Sequence, residues 1–191
     1  MTSITQESNA VHPFTSFDTE IVVDLGCCGY ERNGKLEDSI QTLIKRFKPA
    51  VLFGFDPHPA LREAVGQVYG TTVVTTRRAA WTSGSDNGLG LMVQGNCTHV
   101  VPTRPRGNGL EWAHTFDIAD WVRALPDVNI VLKVDIEGAE YVILPHLIEQ
   151  GLMHRFSRLL VEWHTGELAN GYESDRASIL AGIECEVEEW Q

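Results

Sequence analysis

Long apolar runs, paired cysteines and positive charge are all scarce in this 191-residue chain. No segment approaches the ~20 consecutive apolar residues that a membrane span needs, so no membrane partner is expected. Residues 1–17 are polar and carry no apolar stretch of the kind a secretory leader needs, so no such signal is read there. The cysteines are Cys27, Cys28, Cys97 and Cys185. None stand at C-x-x-C spacing, and adjacent cysteines rarely bridge each other, so neither a zinc knuckle nor a disulfide framework finds support. A reduced, cytoplasmic chain fits this usage. Lysine and arginine number 15 against 26 aspartates and glutamates, a net charge of −11. Nucleic-acid binding needs a basic face, and the one locally basic stretch, Arg104 to Asn108, reads as a loop. No nucleic-acid partner is expected.

What remains is an ordinary globular composition, 43% apolar and 21% charged. At ~100–200 residues per domain, an N-terminal arm over 1–17 followed by one domain over 18–191 is expected. Ile21 to Val23 is a short apolar strand that runs into Asp24-Leu25-Gly26. Asp38-Ser39 caps a helix through Phe47, with Ile40, Leu43, Ile44 and Phe47 on one stripe. Val51 to Phe55 is a second strand. Pro59 suits the first turn of a helix reaching about Val68. Val73-Val74 opens a third strand, and short β segments fit near Leu89–Val93 and Thr98–Val101. Phe116 to Leu125 has helical spacing. Ile130 to Val134 is a strand, Ala139 to Gln150 a helix with Gly151 past its end, and Leu159 to Trp163 a strand. A helix over Tyr172 to Ala181 and a last strand over Ile183 to Val187 complete the pattern.

Continuous apolar strands joined by helices predict an α/β fold: a mostly parallel sheet with helices on both faces. In such sheets ligands bind beyond the carboxyl ends of the strands. Asp24, Asp56, Asp135, Glu137, Glu162 and His164 all fall at or just past a strand's end, more polar residues than a random acidic surface would place there. Gly26 and Gly29 let the first turn bend sharply and bring its backbone close to a ligand. The turn is not G-x-G-x-x-G, and an acid before it disfavours a pyrophosphate and favours a ligand with a positive end. Asp56, ~20–30 residues further on, is placed to accept hydrogen bonds from ribose hydroxyls, which NAD and S-adenosylmethionine both carry. Lys133 in a buried strand is costly unless paired, with Asp135 or Glu137 the obvious partner. Glu140 falls in a helix's first turn, where its charge suits the helix dipole.

The strand-Asp-x-Gly turn, the acidic end of strand two and above all Leu132-Lys133-Val134-Asp135-Ile136-Glu137-Gly138-Ala139-Glu140 resemble the FkbM family of S-adenosylmethionine-dependent methyltransferases. Ala80-Trp81-Thr82 with Asp86 and Gly88, Thr115-Phe116-Asp117-Ile118, and Leu159-Leu160-Val161-Glu162 are similar to family segments in the same order. The resemblance spans about Ile21 to Glu162. It implies a three-layer Rossmann-like sandwich of class I. It also implies Asp24, Gly26 and Gly29 at the methionine end of the cofactor, Asp56 on the ribose, Asp86 near the adenine, and Asp135 and Glu137 at the reacting centre. The expected reaction is methyl transfer to a hydroxyl oxygen of a small molecule or sugar. The first turn is a residue shorter than the family's, and Asp56 stands where the family has Glu. The class closes its sheet with an antiparallel hairpin, and only about one strand of chain follows Gly182, so an incomplete hairpin is expected.

His164, two residues after Glu162, is the candidate general base, because an imidazole titrates near neutrality. Asp135 is the second candidate. Asp135, Glu137, Glu162 and His164 could also hold a divalent metal, although none is predicted. The rival readings are a non-catalytic nucleotide- or S-adenosylmethionine-binding module of the same fold and an NAD-linked oxidoreductase.

Overall fold

The computed structural model describes residues 20–27, 30–32, 35–37, 39–58, 61, 63–94, 97–101, 110–166 and 175–190, and gives the backbone alone at 30–32, 35–37, 85–94, 97–101 and 110–112. The proposed arm over 1–17, Gly29 and the basic stretch Arg104 to Asn108 lie outside these residues.

The main sheet has seven strands. Its first strand, β1 (Ile21–Leu25), is followed by a small hairpin, β2 (Tyr30–Arg32) with β3 (Lys35–Glu37), and by helix α1 (Ser39–Phe47). Strands β4 (Val51–Phe55), β5 (Ala64–Val68) and β6 (Thr71–Thr76) come next. A second, four-stranded sheet interrupts the main one, built from β7 (Ala79–Trp81), β8 (Ser85–Gln94), β9 (Cys97–Val101) and β10 (Leu110–Asp117). The chain returns through α2 (Ile118–Ala124), β11 (Ile130–Val134), α3 (Glu140–Glu149), a 3-10 turn at Met153–Arg155, β12 (Phe156–Val161), α4 (Arg176–Ala181) and β13 (Glu186–Glu189).

Strand order in the main sheet is β13-β12-β11-β1-β4-β6-β5. All neighbours run parallel except β5, which pairs antiparallel with β6 at the edge. From β1 the chain moves to one side through β4 and β6, then recrosses to β11 and β12 on the other. The carboxyl end of β1 is therefore the point where strand order reverses, the place for a ligand in sheets of this kind. Register keeps the strand ends level: Leu25 lies beside both Val134 and Phe55, and Val134 beside Val161. This is a Rossmann-like α/β architecture.

Alternation along the strands sends side chains into two cores. Ile21, Val23 and Leu25 join Ile130, Leu132, Val134, Leu159 and Val161 beneath α2, α3 and α4, where Phe55, Phe116 and Trp121 meet edge to face or tilted at 4.6–6.2 Å. Val22, Leu52, Val131 and Leu160 face the other way, onto Leu43 and Ile44 of α1, with Ile40, Phe47 and Trp190 packed against them. The α1 stripe read from sequence is thus the one that is buried. α3 ends in a Schellman motif: Gly151 takes φ +67°, Leu152 N–H donates to the Leu147 carbonyl and Gly151 N–H to that of Ile148.

Three expectations are corrected. The segment expected as a helix to Val68 contains the exposed edge strand β5. A Tyr69-Gly70 turn with φ of 49° and 88° matches the type I′ geometry that closes two-residue hairpins. β-Branched Val65 and Val68 suit a strand, and Gly66 is costly inside a helix. The helix expected from Phe116 begins at Ile118, because the Asp117 carboxylate caps it, accepting from Ala119 and Asp120 N–H. The last strand lies at Glu186–Glu189, further along than expected, and runs parallel to β12. Its glutamates are held by basic residues: Glu186 by Arg158 at 2.7 Å, and Glu188 by Arg46 on α1.

The hairpin turn carries a direct prediction. A bulky residue at positive φ is strained, and type I′ turns favour Asn-Gly. Tyr69 is exposed, so Tyr69→Asn should stabilise the protein by about 0.5–1 kcal/mol. Thermal denaturation checks this, and an unchanged or lowered Tm would contradict it.

Candidate functional site

Gly26 ends β1 in the left-handed region, φ +83°, and a Cβ there would stand 1.7 Å from the Asp135 carbonyl oxygen. The two switch-point turns therefore touch through bare backbone. Just inside them lies an ion cluster in which Lys133 and Asp24 are fully buried and Asp135 is partly exposed. Lys133 Nζ is 3.1 Å from Asp24 Oδ1, 3.0 Å from Asp135 Oδ2 and 2.7 Å from the Gly26 carbonyl oxygen. The register explains it: Asp24 and Lys133 are direct neighbours across β1 and β11 and lie on the α1 face. Ser39, the first residue of α1, donates its hydroxyl to the other Asp24 oxygen at 2.5 Å.

Burial works against the charge on Lys133, but Asp24 and then Asp135 outweigh it and hold the ammonium above the usual lysine range. Burial lifts the Asp24 carboxyl above its ordinary value, with Lys133 and the Ser39 hydroxyl pulling the other way. Of the two partners expected for Lys133, Asp135 is found. Glu137 is not, because it leaves the strand's alternation at φ +54°. Asp24, the most buried partner, was not anticipated. The sequence signal lay in an acid one strand away, legible only once β1 and β11 are known to be neighbours.

Glu137 turns instead toward His164. The His164 Nε2 lies 3.4 Å from Glu137 Oε2, 3.9 Å from Asp135 Oδ1 and 3.9 Å from Glu162 Oε1. The Nδ1 side is 3.0 Å from Oε1 of Glu140, a wholly buried carboxylate that also accepts from Ile136 N–H at 2.8 Å. Burial alone would depress the His164 pKa. The hydrogen bond and charge of Glu140, followed by Glu137 and Asp135, overcome it and hold the imidazole at about 9. Glu162 is pushed above the usual carboxylate value by burial and then by the charge of Asp135. The Glu140 contact was missed, since the residue was read only as a helix-dipole partner. A second unforeseen contact is the Tyr141 hydroxyl, which donates to the His164 carbonyl at 2.9 Å.

Asp135, Glu137, Glu162 and His164 are thus brought together, and Asp24 joins them through Lys133. Asp56 stands separately at the end of β4, mostly buried, with Oδ1 accepting from His58 N–H at 2.8 Å. Asp86 falls on β8 of the second sheet, where the backbone alone is described. Among the described residues, no helix is long and apolar enough to cross a membrane.

At the start of α1, where the helix dipole would favour a bound anion, the Ser39 hydroxyl already meets a protein carboxylate. Around the rim, five carboxylates (Asp24, Asp135, Glu137, Glu140 and Glu162) face two cationic side chains, Lys133 and His164. The site is electronegative and suits a cation. Compared with protein-family models, curated proteins and solved structures, the chain finds no match.

Two predictions test this electrostatic account. Removing one partner of a buried ion cluster strands the others, so Lys133→Met should cost about 3–5 kcal/mol in urea denaturation. Adding Asp24→Asn should return part of that loss, and a harmless Lys133→Met would show that the cluster is not holding the turns. The second concerns pH. A histidine whose folded pKa is raised from 6.5 to about 9 contributes stability that is complete below the unfolded value and fades as pH climbs through 9. Stability should therefore drop between about pH 6.5 and 9, and His164→Gln should flatten that part of the profile.

Proposed function

We propose that this chain is an S-adenosylmethionine-dependent methyltransferase acting on a hydroxyl oxygen of a small molecule or sugar. The observation that carries the reading is the Asp24 carboxylate against Ser39 at the start of α1. In a dinucleotide-binding sheet that helix start receives a pyrophosphate. A buried carboxylate there repels a pyrophosphate and suits a cofactor whose end near β1 is positive, as a sulfonium is. The electronegative rim acts in the same sense. The NAD-linked alternative loses ground on the same observation. The reading also rests on the sequence resemblance to FkbM methyltransferases.

S-adenosylmethionine supplies an already activated methyl group, so the protein's task is to align an oxygen with it and take up a proton. Gly26 lets the first turn pack directly on the Asp135 backbone, and that close packing shapes the place for the methionine end. Asp56 has the position for the ribose hydroxyls. Asp135 and Glu137 stand beside the reacting centre, with His164 as the proton acceptor. His164 is cationic at neutral pH in the geometry described, because Glu140 on its Nδ1 and then Glu137 and Asp135 on its other side hold the proton on the ring. A second positive charge beside Asp135 and Glu137 would relieve that demand and favour the neutral ring that a base requires.

Calorimetric titration tests the reading. S-adenosylmethionine and its demethylated product should each bind in the micromolar range, about −8 kcal/mol, while NAD should not. Asp56→Ala should weaken both by ~10–100-fold, the worth of hydrogen bonds to a charged acceptor. Folded protein that binds neither sulfur ligand would overturn the proposal. Tight binding with no methyl transfer to any acceptor would favour the non-catalytic module.

A further inference from the structure

We propose that Asp135, Glu162 and His164 form a site for one divalent first-row transition cation at the open rim of the sheet. One ligand atom from each lies within 4.8 Å of the others. The two distances from His164 Nε2, both 3.9 Å to carboxylate oxygens, are too long for hydrogen bonds. Donors each ~2.0–2.2 Å from a shared ion stand about 3–4 Å apart, so these spacings match the edges of a coordination shell after modest closure. The donors come from the ends of two adjacent parallel strands, β11 and β12, and the level register of those strands sets the gap between them.

A second, independent observation lies behind the ring. Glu140 is wholly buried and spends Oε1 on Ile136 N–H and His164 Nδ1, while its buried Oε2 has no hydrogen-bond partner among the described residues. A carboxylate on the far nitrogen is the usual support of a metal-bound histidine: it fixes the ring so that Nε2 faces the ion. With Oε2 unpaired, this buried carboxylate keeps the surroundings of the ring negative, which favours a cation on the ring's other side. Asp135 and Glu162 are partly exposed, so the site opens on one side and leaves coordination positions for water or a substrate oxygen. One imidazole and two carboxylates favour Mn²⁺ or Zn²⁺ over Mg²⁺ and Ca²⁺.

The inference does not depend on methyl transfer. Were the proposed reaction to run here, the ion would make His164 a ligand in place of a base and would acidify the acceptor hydroxyl itself. Binding at Nε2 requires the neutral ring, so each ion taken up should release a proton.

The test is titration of Mn²⁺ and Zn²⁺ into chelator-stripped full chain with no sulfur ligand present, followed by calorimetry and, for Mn²⁺, by electron paramagnetic resonance. One ion per chain should bind, with heats that vary with buffer ionisation as the proton leaves. Glu162→Gln, at a partly exposed position, should weaken binding about tenfold or more, and so should Asp135→Asn. Glu149→Gln, at an exposed residue on α3, should leave it unchanged. Circular dichroism verifies that each variant is folded. Absence of binding, equal affinity for Mg²⁺, or affinity indifferent to Glu162→Gln would each overturn the site and leave Lys133 and the His164 imidazolium as the counter-ions of these acids. Because sulfur-ligand binding is measured separately, loss of the metal site and loss of the methyltransferase reading are distinguishable.

Discussion

One buried ammonium organises the ligand rim. Lys133 lies at the centre of the sheet, fully removed from solvent, with its charge met by Asp24, Asp135 and the Gly26 carbonyl. These partners belong to the two strands that flank the reversal of strand order. Such a cluster does little for net stability compared with a well-packed apolar core, since desolvating three charges offsets most of their attraction. What it does is fix geometry. It ties the end of β1 to the end of β11, holds the Gly26 backbone against the Asp135 carbonyl, and keeps a negative charge at the start of α1. Each of these bears on what the rim can bind.

The second layer of the site hangs from the same turn. After Asp135 the chain cannot continue as a strand: Glu137 and Gly138 both take positive φ. That turn swings Glu137 toward His164 and starts α3 so that Glu140 falls beneath the imidazole. The result is a histidine between a buried acid on one nitrogen and three acids on the other. Proton, sulfonium and divalent ion are alternative answers to the same excess of negative charge.

Much of this was legible in the sequence, for physical reasons that also mark where legibility stops. β4 and β11 fall where short apolar runs place them, broken in β11 only by Lys133, because an interior parallel strand shows little polar alternation. The α1 stripe was readable because helical periodicity selects the buried face. The acids at strand ends were readable because parallel topology sends all those ends to one rim. Contacts between distant segments were not. Asp24 with Lys133 depends on strand order, and Glu140 with His164 on how α3 packs against the end of β12. β5 departs from the helix that Pro59 suggests, and Tyr69-Gly70 lacks the usual Asn-Gly signature of the turn that would have marked a hairpin. The second sheet, rich in Gly, Thr and Asn, carried weak signals throughout, and Asp86 lies within it.

The central claim is that the rim around Gly26 and Asp135 receives a cofactor with a positive end and a ribose. A crystal structure of the full chain grown with the demethylated cofactor, S-adenosylhomocysteine, tests this most directly. The account predicts its homocysteine portion, with the α-ammonium, against the Gly26 turn and its ribose hydroxyls on the Asp56 carboxylate. A ligand bound away from the ends of β1 and β4, or with its ribose turned from Asp56, would contradict it.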